Sequence, residues 1–159
     1  MADKRFMLEA VKKAEEGLRR CQTPFGACVV RNGRIISSAH NTVWKDLDST
    51  AHAEVNAIRK ACKKLRTIDL SDCTIYSTCE PCPMCFSAIY WAKIQRVVYG
   101  CSIEDAKKAG FSELALSNKR ILKLTKAKMR IKSGFMRKQC IQLFKTFNRL
   151  LKEGRCKTY

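Results

Sequence analysis

The chain has only two histidines among its 159 residues, and the second belongs to the pattern that most constrains the fold. His52 stands two residues before Glu54, near the predicted start of a helix. A Cys-Pro-Met-Cys run then places Cys82 and Cys85 at the predicted start of another helix. One imidazole and two thiolates are ligands of the kinds that zinc prefers. If the three side chains bind one ion, the two helix starts must meet.

Three protein ligands are typical of catalytic zinc, because a structural site commonly has four and a catalytic site keeps one position for water. The spacing of Cys82 and Cys85 lets both thiolates converge, and the helix dipole favours their ionised form. Glu54 follows His52 too closely to be a comfortable ligand, but it is well placed to take and deliver a proton. His40 is a weak candidate for a fourth ligand, since it ends a predicted strand that leads away from the helix.

Each half of this pattern is weak when it stands alone. A His-x-Glu pair occurs by chance on helix surfaces, and Cys-x-x-Cys is also typical of redox pairs and of structural zinc half-sites. Together, each at a helix start after a strand, the two halves match the H-x-E…P-C-x-x-C signature of zinc-dependent base deaminases.

The apolar periodicity predicts strands that alternate with helices, and therefore an α/β protein with one layered sheet in a single domain, 1–159. Asn32-Gly33 suits the tight turn of a hairpin, and Ser49 or Thr50 is the expected cap of the helix that contains His52. The predicted helices are 6–18, 48–65, 81–93, 102–110 and 134–154, and the predicted strands are 25–30, 34–40, 73–78, 96–100 and 128–133.

The N-terminal 20 residues are charged throughout, which predicts neither a secretory signal nor a membrane span and favours the cytoplasm. In a reducing compartment, the ten cysteines are expected as thiols or metal ligands rather than as disulfides. Four of them fall on apolar positions of predicted elements and are interpreted as small core residues: Cys28, Cys62, Cys73 and Cys140.

The net charge of +18 is concentrated towards the C-terminus. Up to Glu113 there are 18 basic and 13 acidic residues, whereas the strand-helix segment 114–159 has 14 basic residues and one acidic residue. Such a basic segment raises nucleic acid as a partner. Charge alone favours the simpler interpretation of a basic protein with a solvated surface, which would bind nucleic acid only weakly and without specificity.

Beyond the zinc pattern, the chain resembles the cytidine-deaminase-fold nucleobase deaminases, and within them the small bacterial guanine deaminases. The resemblance covers nearly the whole chain and includes the zinc-binding stretches 49–65 and 80–100. Its other parts are TPFGACVV at 23–30, Asn41 and AGF at 109–111. It implies a three-layer α/β/α fold with a central mixed sheet, one zinc ion per chain, and a homodimer in which the C-terminal segment can be exchanged between subunits.

The resemblance also implies roles for individual residues. Glu54 and Glu113 would be catalytic, although Ser112 stands where an aspartate is expected after AGF. Phe25 would stack on the base and Asn41 would hydrogen-bond it. The remaining substrate contacts would be Ala53, Cys82, Trp91 and the C-terminal Tyr159.

The implied reaction is the hydrolysis of guanine to xanthine and ammonia. One alternative is deamination of adenosine to inosine in tRNA, which would use the basic segment. A second alternative, from another class, is a nucleic-acid-binding module that a structural zinc ion stabilises.

Overall fold

The computed structural model describes residues 3–157, and its strands and helices alternate as predicted. Along the chain the elements are α1 (Lys4–Arg19), β1 (Gly26–Arg31), β2 (Arg34–His40), α2 (Val43–Asp46), α3 (Ala53–Leu65), β3 (Cys73–Cys79), α4 (Pro83–Trp91), β4 (Arg96–Cys101), α5 (Ile103–Lys108), α6 (Asn118–Thr125), β5 (Arg130–Lys132) and α7 (Arg137–Lys152).

The five strands form one mixed sheet in the order β2-β1-β3-β4-β5. β1 is antiparallel to both β2 and β3, while β3, β4 and β5 run parallel. The end of β2 pairs with the start of β1 (His40 with Gly26), and the ends of β3 and β4 pair with each other (Cys79 with Cys101). The loops that lead into α2, α4 and α5 therefore lie together at one end of the sheet.

Helices cover both faces of the sheet and produce the three layers that the resemblance implies. On one face, α3 and α4 bury apolar side chains such as Ala57, Phe86 and Ile89 against the strands. On the other face, α1, α5 and α7 contribute Met7, Ala106 and Phe144, among others. The α/β/α prediction is confirmed.

The structure differs from the sequence prediction in three elements. α3 begins at Ala53 rather than at Asp48, because the Asp48 carboxylate accepts hydrogen bonds from the Thr50 backbone N–H at 2.8 Å and hydroxyl at 2.7 Å. This local turn competes with the helix. The short helices α2 and α6 were not predicted. The start of α6 is capped by the Ser117 side chain, which accepts from the Arg120 N–H.

One cysteine expectation is wrong. Cys21, just after α1, forms a disulfide with Cys156, beyond α7, whereas the sequence favoured thiols throughout. Cys28, Cys73 and Cys140 are buried thiols as predicted, while the fourth of that group, Cys62, is only partly buried. Among residues 3–157, no helix is long and apolar enough to cross a membrane.

Candidate active site

The starts of α3 and α4 meet at the end of the sheet where β3 ends. His52 is the N-cap residue of α3 and Cys82 is the N-cap residue of α4, and neither side chain caps its own helix. The side chains therefore remain available to face each other. Pro83 suits the first position of α4, because its fixed φ is preorganised for a helix and its missing N–H costs no hydrogen bond there.

The three predicted ligands form one compact group. His52 Nδ1 lies 3.7 Å from Cys82 Sγ and 3.5 Å from Cys85 Sγ, and the three ligand atoms all lie within 4.8 Å of one another. Tetrahedral zinc, with bonds of about 2.3 Å to sulfur and about 2.0 Å to nitrogen, would separate nitrogen from sulfur by about 3.6 Å. The donor set and its spacing therefore fit zinc.

His40 does not join this group. Its Nδ1 lies 2.6 Å from the carbonyl oxygen of Asn41, to which it donates, and it is buried at the end of β2. Among residues 3–157, His52, Cys82 and Cys85 are the one group of three or more His, Cys, Asp or Glu side chains with this spacing. The geometry thus supports three protein ligands, which leave a fourth position on the metal.

The electrostatics of the group also suit a cation. The pKa of the Cys82 thiol is lowered to about 4, first because Cys85 donates a hydrogen bond to it and then because of His52, while burial opposes the shift. The hydrogen bond to Cys82 raises the pKa of His52 against the effect of burial. A thiolate is thus already favoured here, and thiolate is the form of cysteine that binds metal.

Glu54 is buried beside the ligands but is not one of the three. The Ser77 hydroxyl donates to its Oε1 at 3.0 Å, and Cys85 Sγ lies 3.5 Å from its Oε2. Burial, and next the charge of Cys82, raises the pKa of Glu54. A fixed carboxylate whose affinity for a proton is raised has the properties of a proton carrier.

Asn41 and Phe25 are joined by a backbone hydrogen bond at the same end of the sheet. The Asn41 N–H donates to the Phe25 carbonyl at 3.1 Å, and the Asn41 Oδ1 accepts from the Val43 N–H at 3.1 Å. The bond from Val43 fixes the orientation of the Asn41 side-chain amide. Ala53, also predicted to contact substrate, is the buried first residue of α3 and adjoins His52.

Phe25 belongs to an aromatic cluster that connects this end of the sheet to the C-terminal helix, α7. Its ring packs edge-on against Phe111 and Phe144, with centroid distances of 5.1 and 5.8 Å. Phe111 in turn stacks on Phe147 of α7, at 5.5 Å. Two residues after Phe111 lies the partly buried Glu113.

Glu113 lies within electrostatic reach of the ligands. Burial raises its pKa first and the charge of Cys82 raises it next, while Glu113 itself raises the pKa of His52. The structure therefore brings the second predicted catalytic carboxylate towards the metal-binding group, from a loop 59 residues further along the chain than Glu54.

One predicted contact lies away from the cluster, and another falls outside the described residues. Trp91 ends α4, about 13 Å along the helix from Cys82 at 1.5 Å per residue. Its side chain is 77% exposed and lines a groove with Ile94 and Met129. This placement does not support a contact between Trp91 and substrate within one subunit, and the contact stays a prediction. Tyr159 lies outside the described residues.

Two supporting residues escaped the sequence analysis. Ser77 orients Glu54, and nothing in the sequence of β3 distinguishes its side chain from other strand positions. Asn56 places its Nδ2 within 3.2 Å of the His40 carbonyl, the Thr42 hydroxyl and the Ala51 carbonyl. It thereby joins the first turn of α3 to the Asn41 loop. The sequence feature that could have indicated this role is an asparagine one helical turn after His52.

The comparisons with known proteins agree with this geometry. Residues 1–101 match the family described as the cytidine and deoxycytidylate deaminase zinc-binding region. Guanine deaminase from Bacillus subtilis is 50% identical over 109 residues, which are 68% of this chain and 70% of that protein. A tRNA-specific adenosine deaminase from Buchnera aphidicola is 36% identical over 145 residues, 91% and 93% of the two chains.

A solved structure of guanine deaminase from Nitrosomonas europaea superposes with a TM-score of 0.85 at 26% identity, covering 93% of this chain and 85% of that one. The zinc-compatible ligand group, the buried glutamate beside it and the family match over residues 1–101 lead to one conclusion. The chain belongs to the cytidine and deoxycytidylate deaminase zinc-binding family, and it is a zinc-dependent hydrolytic deaminase.

Proposed function

We propose that the substrate is guanine, which the enzyme converts with water into xanthine and ammonia. The observation that carries this proposal is a second carboxylate: Glu113 lies two residues after Phe111, whose ring packs on Phe25 with a centroid distance of 5.1 Å. Guanine presents N–H donors at N1 and at its 2-amino group, and a carboxylate is an acceptor for both. An adenine ring offers no N1–H donor, so it would leave part of this acceptor unused.

In the proposed reaction, individual residues of the chain have separate roles. Zinc held by His52, Cys82 and Cys85 would lower the pKa of a water molecule towards neutrality. Glu54 takes one proton from the attacking water and delivers it to a ring nitrogen, and it then carries the second proton from the added hydroxyl to the amino group, which leaves as ammonia. The Asn41 amide donates to an acceptor of the base, and Phe25 supplies an aromatic wall.

A homodimer is part of the proposal. α4 has no charged residue among its nine, yet Tyr90 and Trp91 at its end are 51% and 77% exposed. A helix that is apolar on all sides is normally covered, and we propose that a second copy covers it. Sedimentation of the wild type and of Trp91→Lys tests this, because the variant should become monomeric. We also propose a cytoplasmic location. Exchange of the C-terminal segment between the two copies stays a proposal as well.

The second candidate is deamination of adenosine in tRNA. It is favoured by the long match to the Buchnera protein and by the basic face of α7. Four cationic side chains on that helix are exposed: Lys138, Lys145, Arg149 and Lys152. We propose that this face is an ordinary solvated surface that binds nucleic acid weakly.

An assay of ammonia release decides between the two substrates. The zinc-loaded protein is given guanine, adenine, guanosine, cytosine and an RNA anticodon stem-loop with adenosine at the wobble position, with Glu54→Gln as the inactive control. We expect turnover of guanine, and guanine kinetics that do not change when the four α7 cations become glutamine. Robust formation of inosine in the stem-loop, lost in the four-site variant, would overturn the choice of guanine.

A further inference from the structure

A buried carboxylate lies between the metal-binding loop and the segment that carries Glu113. Glu80, two residues before Cys82, is 6% exposed. Its Oε2 accepts the Ile103 N–H at 3.2 Å and its Oε1 accepts the Asn118 N–H at 2.8 Å. These are the first backbone N–H groups of α5 and α6, where a helix favours negative charge.

The side chain of Asn118 returns to the same loop. Its Nδ2 donates to the carbonyl oxygen of Pro81, the residue between Glu80 and Cys82, at 2.6 Å. Asn118 is fully buried, and its Oδ1 has no hydrogen-bond partner among the described residues. An unsatisfied buried oxygen costs free energy that an apolar side chain of similar size would not. The Nδ2 bond to the Pro81 carbonyl offsets that cost and joins the start of α6 to the metal-binding loop.

Both ends of the segment 103–118 are thus fastened to the loop that supplies a metal ligand. Between the two ends lie Phe111 and Glu113, in a stretch without helix or strand from residue 111 to 117. The three hydrogen bonds of Glu80 and Asn118, which we name the clasp, tie both ends of this segment to the metal-binding loop and so limit where Glu113 can lie.

We propose that Glu80 and Asn118 are positioning residues, which hold the segment that carries Glu113 against the metal-binding loop. This inference rests on the proposed role of Glu113 and extends it to residues that do not touch the substrate. Glu80→Gln replaces one acceptor oxygen by an amide that cannot accept an N–H. We expect kcat/KM for guanine to fall by about 10- to 100-fold, as for other outer partners of metal sites, with zinc still near one per chain.

A double-mutant cycle with Glu113→Gln separates positioning from general loosening. If Glu80 acts through Glu113, adding Glu80→Gln to Glu113→Gln should lower kcat/KM by no more than about two- to threefold, close to the error of additivity. Full additivity of the two losses would overturn the inference. Unchanged guanine kinetics in Glu113→Gln alone would overturn the proposed role of Glu113 instead, and the clasp proposal with it.

Asn118→Leu provides a second test that does not depend on Glu80→Gln folding. This variant keeps the backbone N–H that Glu80 accepts but removes the Nδ2 bond to Pro81, so kcat/KM for guanine should fall while zinc stays near one per chain. Ser117→Ala is the matched control, because it weakens the cap of α6 and leaves the clasp intact. It should lower the melting temperature without changing guanine kinetics. Wild-type kinetics in Asn118→Leu would overturn the inference.

Discussion

The Cys21–Cys156 disulfide should be a large contributor to the stability of this chain. It joins residues that are 135 positions apart, so it closes nearly the entire polypeptide into a loop. In the chain-entropy treatment, a loop of that length restricts the unfolded state by about 17 cal/mol/K, or about 5 kcal/mol at 25 °C. Measured values usually fall below this estimate, so we expect reduction to lower the free energy of unfolding by about 2–5 kcal/mol.

The assay is urea unfolding of the zinc-loaded protein with and without a thiol reductant. The wild type should shift to a lower midpoint on reduction. The double variant Cys21→Ser/Cys156→Ser should start near the reduced wild type and should not respond to reductant. This control matters because eight other cysteines are free thiols, and two of them belong to the group that could hold the metal. A response of the double variant would trace the effect to the metal site.

Two results would refute the reasoning. One is an unchanged midpoint when the wild type is reduced. The other is alkylation of both Cys21 and Cys156 in the native, unreduced protein, measured by mass spectrometry, since a formed disulfide protects both sulfurs. Protein purified from a reducing cytoplasm gives the most stringent test of this disulfide, because disulfides seldom persist there.

Three further predictions concern the site and its surroundings. Cys85→Ala should lose zinc, measured by metal analysis, together with activity; full zinc occupancy would show that the ligand set is wrong. Glu54→Gln should keep about one zinc per chain while kcat falls by roughly 10²- to 10⁴-fold, and loss of zinc would instead make Glu54 a ligand. Asp105, whose pKa is lowered to about 2 chiefly by its hydrogen bond from Arg137, should stabilise the fold above the pKa of about 4 that an unfolded aspartate has. The destabilisation by Asp105→Asn in urea should therefore be largest near neutral pH and should shrink as the pH falls from about 4 through 2, and a constant difference would contradict it.

The metal-binding group could be predicted from the sequence because its chemistry leaves few alternatives. Few side chains bind zinc, and the His52 and Cys82 halves each follow a strand and open a helix. Glu54 was predictable for the same reason, since its place in the first turn of α3 is fixed once His52 is a ligand. What the sequence could not supply was Ser77, because the contact that orients Glu54 comes from a strand 23 residues away.

The elements that were missed depend on contacts between distant parts of the chain. α6 is short, and the first N–H of the helix is held by Glu80, 38 residues earlier. The disulfide has no local signal, because Cys21 and Cys156 meet only when α1 and α7 pack together. The position of Trp91 likewise could not be predicted from its motif. The resemblance marked it as a substrate contact, whereas α4 carries it away from the end that binds metal.

The group that could hold the metal and the proposed proton carrier lie in a different part of the chain from Glu113 and α7. His52, Glu54, Cys82 and Cys85 all fall within residues 1–101, the part that matches the family. Phe25 and Asn41, which we propose contact the base, also lie in that part, whereas Glu113 comes later. Phe144 of α7 packs on Phe25 from the basic segment. A deaminase with this zinc site could therefore change its base without changing its metal ligands, and the choice between guanine and adenosine must be tested on Glu113 and on α7.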